Sequence, residues 1–175
     1  MCDRCAGRRK VTVRHGGPIY DGSMITAQPA SYSTVNPSLA IDGAGDAIEF
    51  YKAVFGCTER MRMPAPGGKV AHCELQFGDS VVMVADEFPE ADFYGPHKFG
   101  GTPIALSVYV DDVDETFALA LEAGADPIRQ PEDQFYGDRA GQFQDPWGHR
   151  WGIATHFEDV TPEELERRQQ ELFGD

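Results

Sequence analysis

Apolar positions begin to recur with regular spacing at Val35, and the same order of patterns then appears twice. Residues 35–41 form an apolar run that reads as a strand. A helix follows. Asp46 with Glu49 three residues on makes a capping box, Ile48, Tyr51 and Phe55 share one helical face, and Gly56 supplies the stop. Residues 70–77 and 80–85 then read as a strand hairpin turning at Gly78-Asp79. The second copy opens with a strand over residues 104–110. Asp112 and Glu115 form another capping box, Val113, Phe117 and Leu121 supply the buried stripe, and Gly124 ends the helix. Residues 141–144 and 149–155 close it as a hairpin turning through Asp145-Pro146-Trp147-Gly148. The helix stops lie 68 residues apart and the hairpin glycines, Gly78 and Gly148, 70 apart. An internal repeat of this kind means two supersecondary units, each completing its core with the other.

Three segments lie outside the repeat. Residues 1–31 lack apolar periodicity and are expected to form a flexible N-terminal arm. Residues 87–103 link the first unit (32–86) to the second (104–157) and hold Phe88, Phe93, Tyr94 and Phe99, a composition suited to covering a pocket. Residues 158–175 contain a C-terminal helix that starts with Thr161 as cap, Pro162 in the first turn and Glu164 three residues after the cap.

Charge narrows the function classes. The chain of 175 residues carries 15 basic and 29 acidic residues, a net charge of −14. The first thirty residues hold five basic and two acidic residues, for +3, so the remainder carries −17. Such a balance excludes a duplex nucleic-acid binder as the expectation and disfavours anionic membranes. The longest apolar run, residues 81–85, is far too short to span a bilayer. No apolar stretch follows MCDRCAGRRK as in a secretory signal, so the expected location is cytoplasmic. Cys2 and Cys5 make a lone CxxC, half of a zinc site at most, whereas Cys57 and Cys73 read as buried thiols of a reducing compartment.

Two βαβββ modules, with Ala47-Ile48-Glu49-Phe50-Tyr51 in the first helix and Asp145-Pro146-Trp147-Gly148-His149 in the last hairpin, resemble the vicinal oxygen chelate superfamily. That superfamily includes glyoxalases, ring-cleaving dioxygenases and bleomycin-binding proteins. Gly78-Asp79-Ser80-Val81-Val82-Met83, Gln134-Phe135-Tyr136-Gly137-Asp138-Arg139 and the stretch from Ala154 to Val160 look PhnB-like. The resemblance implies an α+β fold, with two modules forming a cupped mixed sheet around a ligand cavity, helices outside, and a homodimer as the usual assembly. Metal-dependent members place ligands on the first and last strands of each module. Carried over one by one, those positions fall on Asn36, Val82, Ala105 and Gly152. Three of these side chains cannot ligate and the fourth is a poor ligand for a soft divalent ion, so neither a metal nor another cofactor is expected.

Strand alternation then nominates the cavity wall. Asn36, Ser38 and Ala40 face inward on the first strand, His72, Glu74 and Gln76 on the next, and Ser80, Val82 and Val84 after them. In the second module Ala105, Ser107, Tyr109, Gln142, Gln144, Arg150, Gly152, Ala154 and His156 face in. Arg139 is the candidate clamp for an anionic ligand. The candidate ligand-binding residues are therefore Asn36, Ser38, Gln76, Ser107, Tyr109, Arg139, Gln142, Gln144, Arg150 and His156. His72 and Glu74, two apart on one strand, are the candidate general acid/base pair. The wall and the resemblance together imply two functions. One is metal-free small-molecule binding for resistance or sequestration, for which an acidic chain suits cationic glycopeptide-like compounds. The alternative is a metal-independent lyase, isomerase or oxidoreductase using His72 and Glu74.

Overall fold

The computed structural model describes residues 28, 29 and 31–174. The N-terminal arm, with Cys2, Cys5 and His15, lies almost wholly outside the described residues. The remainder, Ser31–Asp175, is one compact unit. Its first module runs β1 (Ser38–Ile41), α1 (Ala44–Phe55), β2 (Thr58–Pro64), β3 (Val70–Phe77) and β4 (Ser80–Asp86). The second runs β5 (Ala105–Tyr109), α2 (Val113–Glu122), β6 (Asp126–Asp133), β7 (Asp138–Gln144) and β8 (Arg150–His156), and α3 (Pro162–Phe173) follows. Each module is a four-stranded mixed sheet, in the orders β1-β4-β3-β2 and β5-β8-β7-β6. In each the first strand runs parallel to the last and the others pair antiparallel.

Local signals account for most of these elements, and α1, β2, β6 and β7 depart from them. The helix stop at Gly56 holds, with the glycine at φ 62°. Asp112 caps α2 by accepting the Glu115 N–H at 2.9 Å, and Thr161 caps α3 by accepting that of Glu164. The Asp46 capping box does not form, because α1 already begins at Ala44 after Gly43 at φ 83°. Its cap comes from the far end of the module instead. Buried Asp86 accepts the N–H groups of Gly43 and Ala44 through Oδ1 and that of Val70 through Oδ2 at 2.6 Å. Strands β2 and β6 carry too few apolar residues to register by hydrophobic pattern, being largely exposed along their length. Finally, β7 starts three residues before the expected 141, which puts Asp138 and Arg139 in the sheet.

One hydrophobic core serves both modules. Leu39, Ile41, Cys73, Leu75, Val82 and Val84 of the first sheet join Phe143, Trp151 and Ile153 of the second around α1 and α2. Trp151 sits at the junction, with ring centroids 5.1 Å from Tyr51, 4.8 Å from Phe55 and 5.9 Å from Phe77. The sheets are thus packed through their helix-covered sides, and their other sides, called open faces below, point away from each other. Register fixes which residues lie where. Val82 and Val84 pair with Leu75 and Cys73, so they share the helix-covered face. This corrects their expected inward placement. Val81 and Met83, opposite Gln76 and Glu74, take the open face instead.

Candidate functional site

On the first open face, one row crosses all four strands: Met61, Glu74, Met83 and Ser38 stand side by side in register. His72 lies one position along, opposite Met63. The predicted pair is in contact, with His72 Nε2 3.4 Å from Glu74 Oε1. Glu74 is only 3% exposed, although it lies on the side away from the helices. Its cover includes Tyr32, whose hydroxyl donates to Oε1, and Arg60, whose Nε lies 3.6 Å from Oε2. A bulge between Glu59 and Met61 turns Arg60 toward this carboxylate. The Tyr32 bond foremost, then His72 and Arg60, holds the Glu74 carboxyl below its usual range. Gln76 faces the same way, but its amide is spent on Gly78 O and Ser80 O, closing the β3–β4 turn. Asn36 donates to Ser33 O at 2.6 Å, and its Oδ1 is buried without a partner among the described residues.

The second open face carries another imidazole–carboxylate group. Asp138, 6% exposed, accepts from Tyr109 Oη at 2.9 Å and meets His156 Nδ1 at 2.7 Å. The other ring nitrogen of His156 lies 3.0 Å from Asp159. Bonds to Asp138 and then Asp159 raise the His156 pKa, and Asp138 likewise raises that of Tyr109. Around this group, register places Ser107 beside Gly152, which faces Gln142, and Ala105 beside Arg150, which faces Gln144. Ser107, Tyr109, Arg150 and His156 are exposed.

Arg139 is not part of this face. It pairs with Thr155, on the helix-covered side, and its guanidinium holds Asp114 of α2 at 2.7 Å and Asp133 of β6 at 2.9 Å. The Asp138–Arg139 phrase lies in a strand, so alternation sends the two side chains to opposite faces. The inward one is Asp138. Tyr32, Arg60 and Asp138 are the residues that sequence reasoning missed. For Arg60 strand alternation points the wrong way, to the face opposite Met61, and only the bulge between Glu59 and Met61 brings it to Glu74. For Tyr32 there was no signal, because its partner is 42 residues away.

The open-face positions on the first and last strands of each module are Ser38, Ala40, Val81, Met83, Ala85, Ala105, Ser107, Tyr109, Arg150, Gly152, Ala154 and His156. Among the described residues no group of three or more His, Cys, Asp or Glu could hold a metal ion.

Residues 35–153, which span both modules up to the middle of β8, match the model of the glyoxalase/bleomycin resistance protein/dioxygenase superfamily. The chain belongs to that superfamily. An uncharacterized protein of Mycobacterium tuberculosis, Rv0887c, is 36% identical over 149 residues, covering 83% of this chain and 85% of that protein. TioX from Micromonospora sp. ML1 superposes with a TM-score of 0.56 at 31% identity, over 71% of this chain and 99% of TioX. TnmS3, an antibiotic-binding protein from Streptomyces sp. CB03234, superposes with a TM-score of 0.53 at 21% identity, over 74% and 99% of the two chains. The superfamily fold therefore stands. Among the described residues no helix is long and apolar enough to cross a membrane.

Proposed function

We propose that this chain binds a small molecule between the open faces of two copies, without metal, and acts in resistance or sequestration. The observation that carries the reading is the shared core. It turns the two open faces away from each other, so a single chain supplies two half-walls rather than a cavity. A second copy would bring a first-module face against a second-module face and enclose polar groups among apolar ones, the make-up of a ligand pocket. One edge strand supports this. A groove of about 920 Å³ beside β5 leaves that edge accessible, whereas the β1 edge is met by His149 at Ala40 O. TnmS3 adds that the fold can accommodate an antibiotic. The two free, buried thiols suit a reducing cytoplasm.

The test is a thermal-shift screen of chelated protein, with divalent metals in one arm and small molecules including bleomycin in the other. A ligand at 100 times its Kd stabilises by about 2.7 kcal/mol, roughly 5–10 °C for a chain of this size. A small-molecule shift without a metal shift supports the reading. A shift with Zn, Ni, Mn or Fe overturns its metal-free part, and a monomer at all concentrations in sedimentation overturns the paired wall.

The contact between His72 and Glu74 favours a second reading, a metal-independent lyase, isomerase or oxidoreductase in which Glu74 orients His72 as general base. General catalysis contributes roughly 10²–10⁴-fold, so His72→Ala must cost at least that much of any turnover found.

A further inference from the structure

The first open face is occupied by the chain itself. Residues 31–36, just ahead of β1, cross to it and deliver one aromatic side chain, Tyr32. The surroundings of that ring are those of a recognition site. Its hydroxyl donates to the carboxylate of Glu74. Its face lies under the Arg60 guanidinium, 5.0 Å from carbon to ring centroid. Arg60 also donates to Ser31 O at 3.0 Å, fixing the backbone beside the ring. Met61 and Met83 flank Glu74 in register on either side, two polarisable thioethers of the kind that pack well against aromatic edges.

These groups discriminate by chemistry. An anionic ligand would meet a carboxylate that is already ionised and 3% exposed. A cationic ring would meet the guanidinium over its face. A neutral aromatic ring bearing a hydroxyl satisfies both, because the hydroxyl gives Glu74 a donor and the ring gives Arg60 a π-face. When Tyr32 leaves, the Glu74 carboxylate loses both its donor and part of its cover, and a ligand's hydroxyl-bearing ring supplies both.

We propose that Tyr32 is a tethered stand-in for a phenol-bearing ligand, and that residues 31–36 form a strap which such a ligand displaces from Glu74 and Arg60. The inference rests on the binding reading above and names its ligand class. Binding then carries a built-in cost, because the site is competent only in the fraction of molecules whose strap is open.

Calorimetric titration of the full chain with 2-naphthol, and with 2-methoxynaphthalene as the analogue lacking the donor, tests this. Tyr32→Ala should bind 2-naphthol about tenfold more tightly than the wild type, since it removes a competing hydrogen bond to a charged group. 2-Methoxynaphthalene, which lacks the donor, should bind that variant about tenfold more weakly than 2-naphthol. Adding Glu74→Gln should shrink that difference, since the acceptor is no longer charged. Tyr32→Phe, which keeps the ring, should give a smaller gain and guards against a misfolded alanine variant. Equal affinity of wild type and Tyr32→Ala for 2-naphthol overturns the strap while leaving the binding reading intact. Equal affinity of Tyr32→Ala for the two probes overturns the role of Glu74 as phenol acceptor. No heat from any variant with either probe overturns the subsite and the ligand-binding first face together.

Discussion

Replacing Tyr51 by Phe removes one oxygen from the middle of the shared core and leaves the ring in place. Tyr51 is fully buried, and its hydroxyl donates to Asp145 Oδ2 at 2.6 Å. The same oxygen accepts the Trp151 indole N–H at 2.9 Å, while Oδ1 accepts the N–H groups of Trp147 and His149 at 3.0 and 2.9 Å. One carboxylate thus ties the first helix to the last hairpin. Burial first, then Asp145, holds the Tyr51 phenol well above its ordinary pKa, so it stays a donor across the physiological range. A hydrogen bond to a charged group contributes about 1.5–3 kcal/mol. Phe retains the contacts with Trp151 and Trp147, so no cavity adds to that figure. The expected fall in Tm is roughly 3–12 °C. Urea denaturation followed by tryptophan fluorescence reads the loss directly, with an unchanged m-value. Asp145→Asn should cost at least as much. Its amide nitrogen meets either the indole N–H or two backbone N–H groups, none of which can accept. A Tyr51→Phe protein within about 0.5 kcal/mol of the wild type, the scatter of ordinary surface changes, would refute the coupling of the modules through this bond.

Three further outcomes follow from polar groups. Asp86→Ala removes the cap of α1 and leaves the Val70 N–H without its acceptor, and should destabilise by about 2–4 kcal/mol in the same denaturation assay. His149 meets Ala40 O at 3.2 Å, and burial lowers its pKa, with His97 acting the same way and Asp145 opposing. Above about pH 6.5 it is neutral in both states and nothing is lost. Below that, the unfolded imidazole takes a proton that the native one resists, so stability falls until pH passes the native pKa. His149→Gln should flatten that part of the pH profile, and an unchanged slope would contradict the assignment. For His156 the sign reverses. Its contribution is complete below about pH 6.5 and is lost as pH rises through the raised native value. Proton NMR should find its midpoint above 6.5, and Asp138→Asn should bring it down.

The candidate site was legible where strand alternation governs and illegible where contacts span the sequence. Alternation brought His72 to Glu74 and put Ser107, Tyr109, Gln142, Gln144, Arg150 and His156 on one face, because side chains two apart must share a side. It misplaced Arg139 because β7 begins three residues before the expected 141, and one strand boundary decides which face a side chain takes. It misplaced Val82 and Val84 because a hairpin's register, not the strand's own pattern, sets which residues lie opposite Cys73 and Leu75. The cap of α1 was misread for a similar reason. Asp46 has the right spacing, but Asp86 has the right position in space.

The sequence by itself determined the two-module repeat, its order of strands and helices, the caps of α2 and α3, and the family. Each of these depends on neighbours within a few residues or on period, and period survives in one dimension. Tertiary structure alone decided that the modules pack back to back through Tyr51, Asp145 and Trp151, and that Tyr32 covers Glu74. It also decided that Asp138, rather than Arg139, faces the second wall. These are pairings between residues tens of positions apart. Burial and complementary hydrogen bonding select them, and neither leaves a periodic trace in the chain.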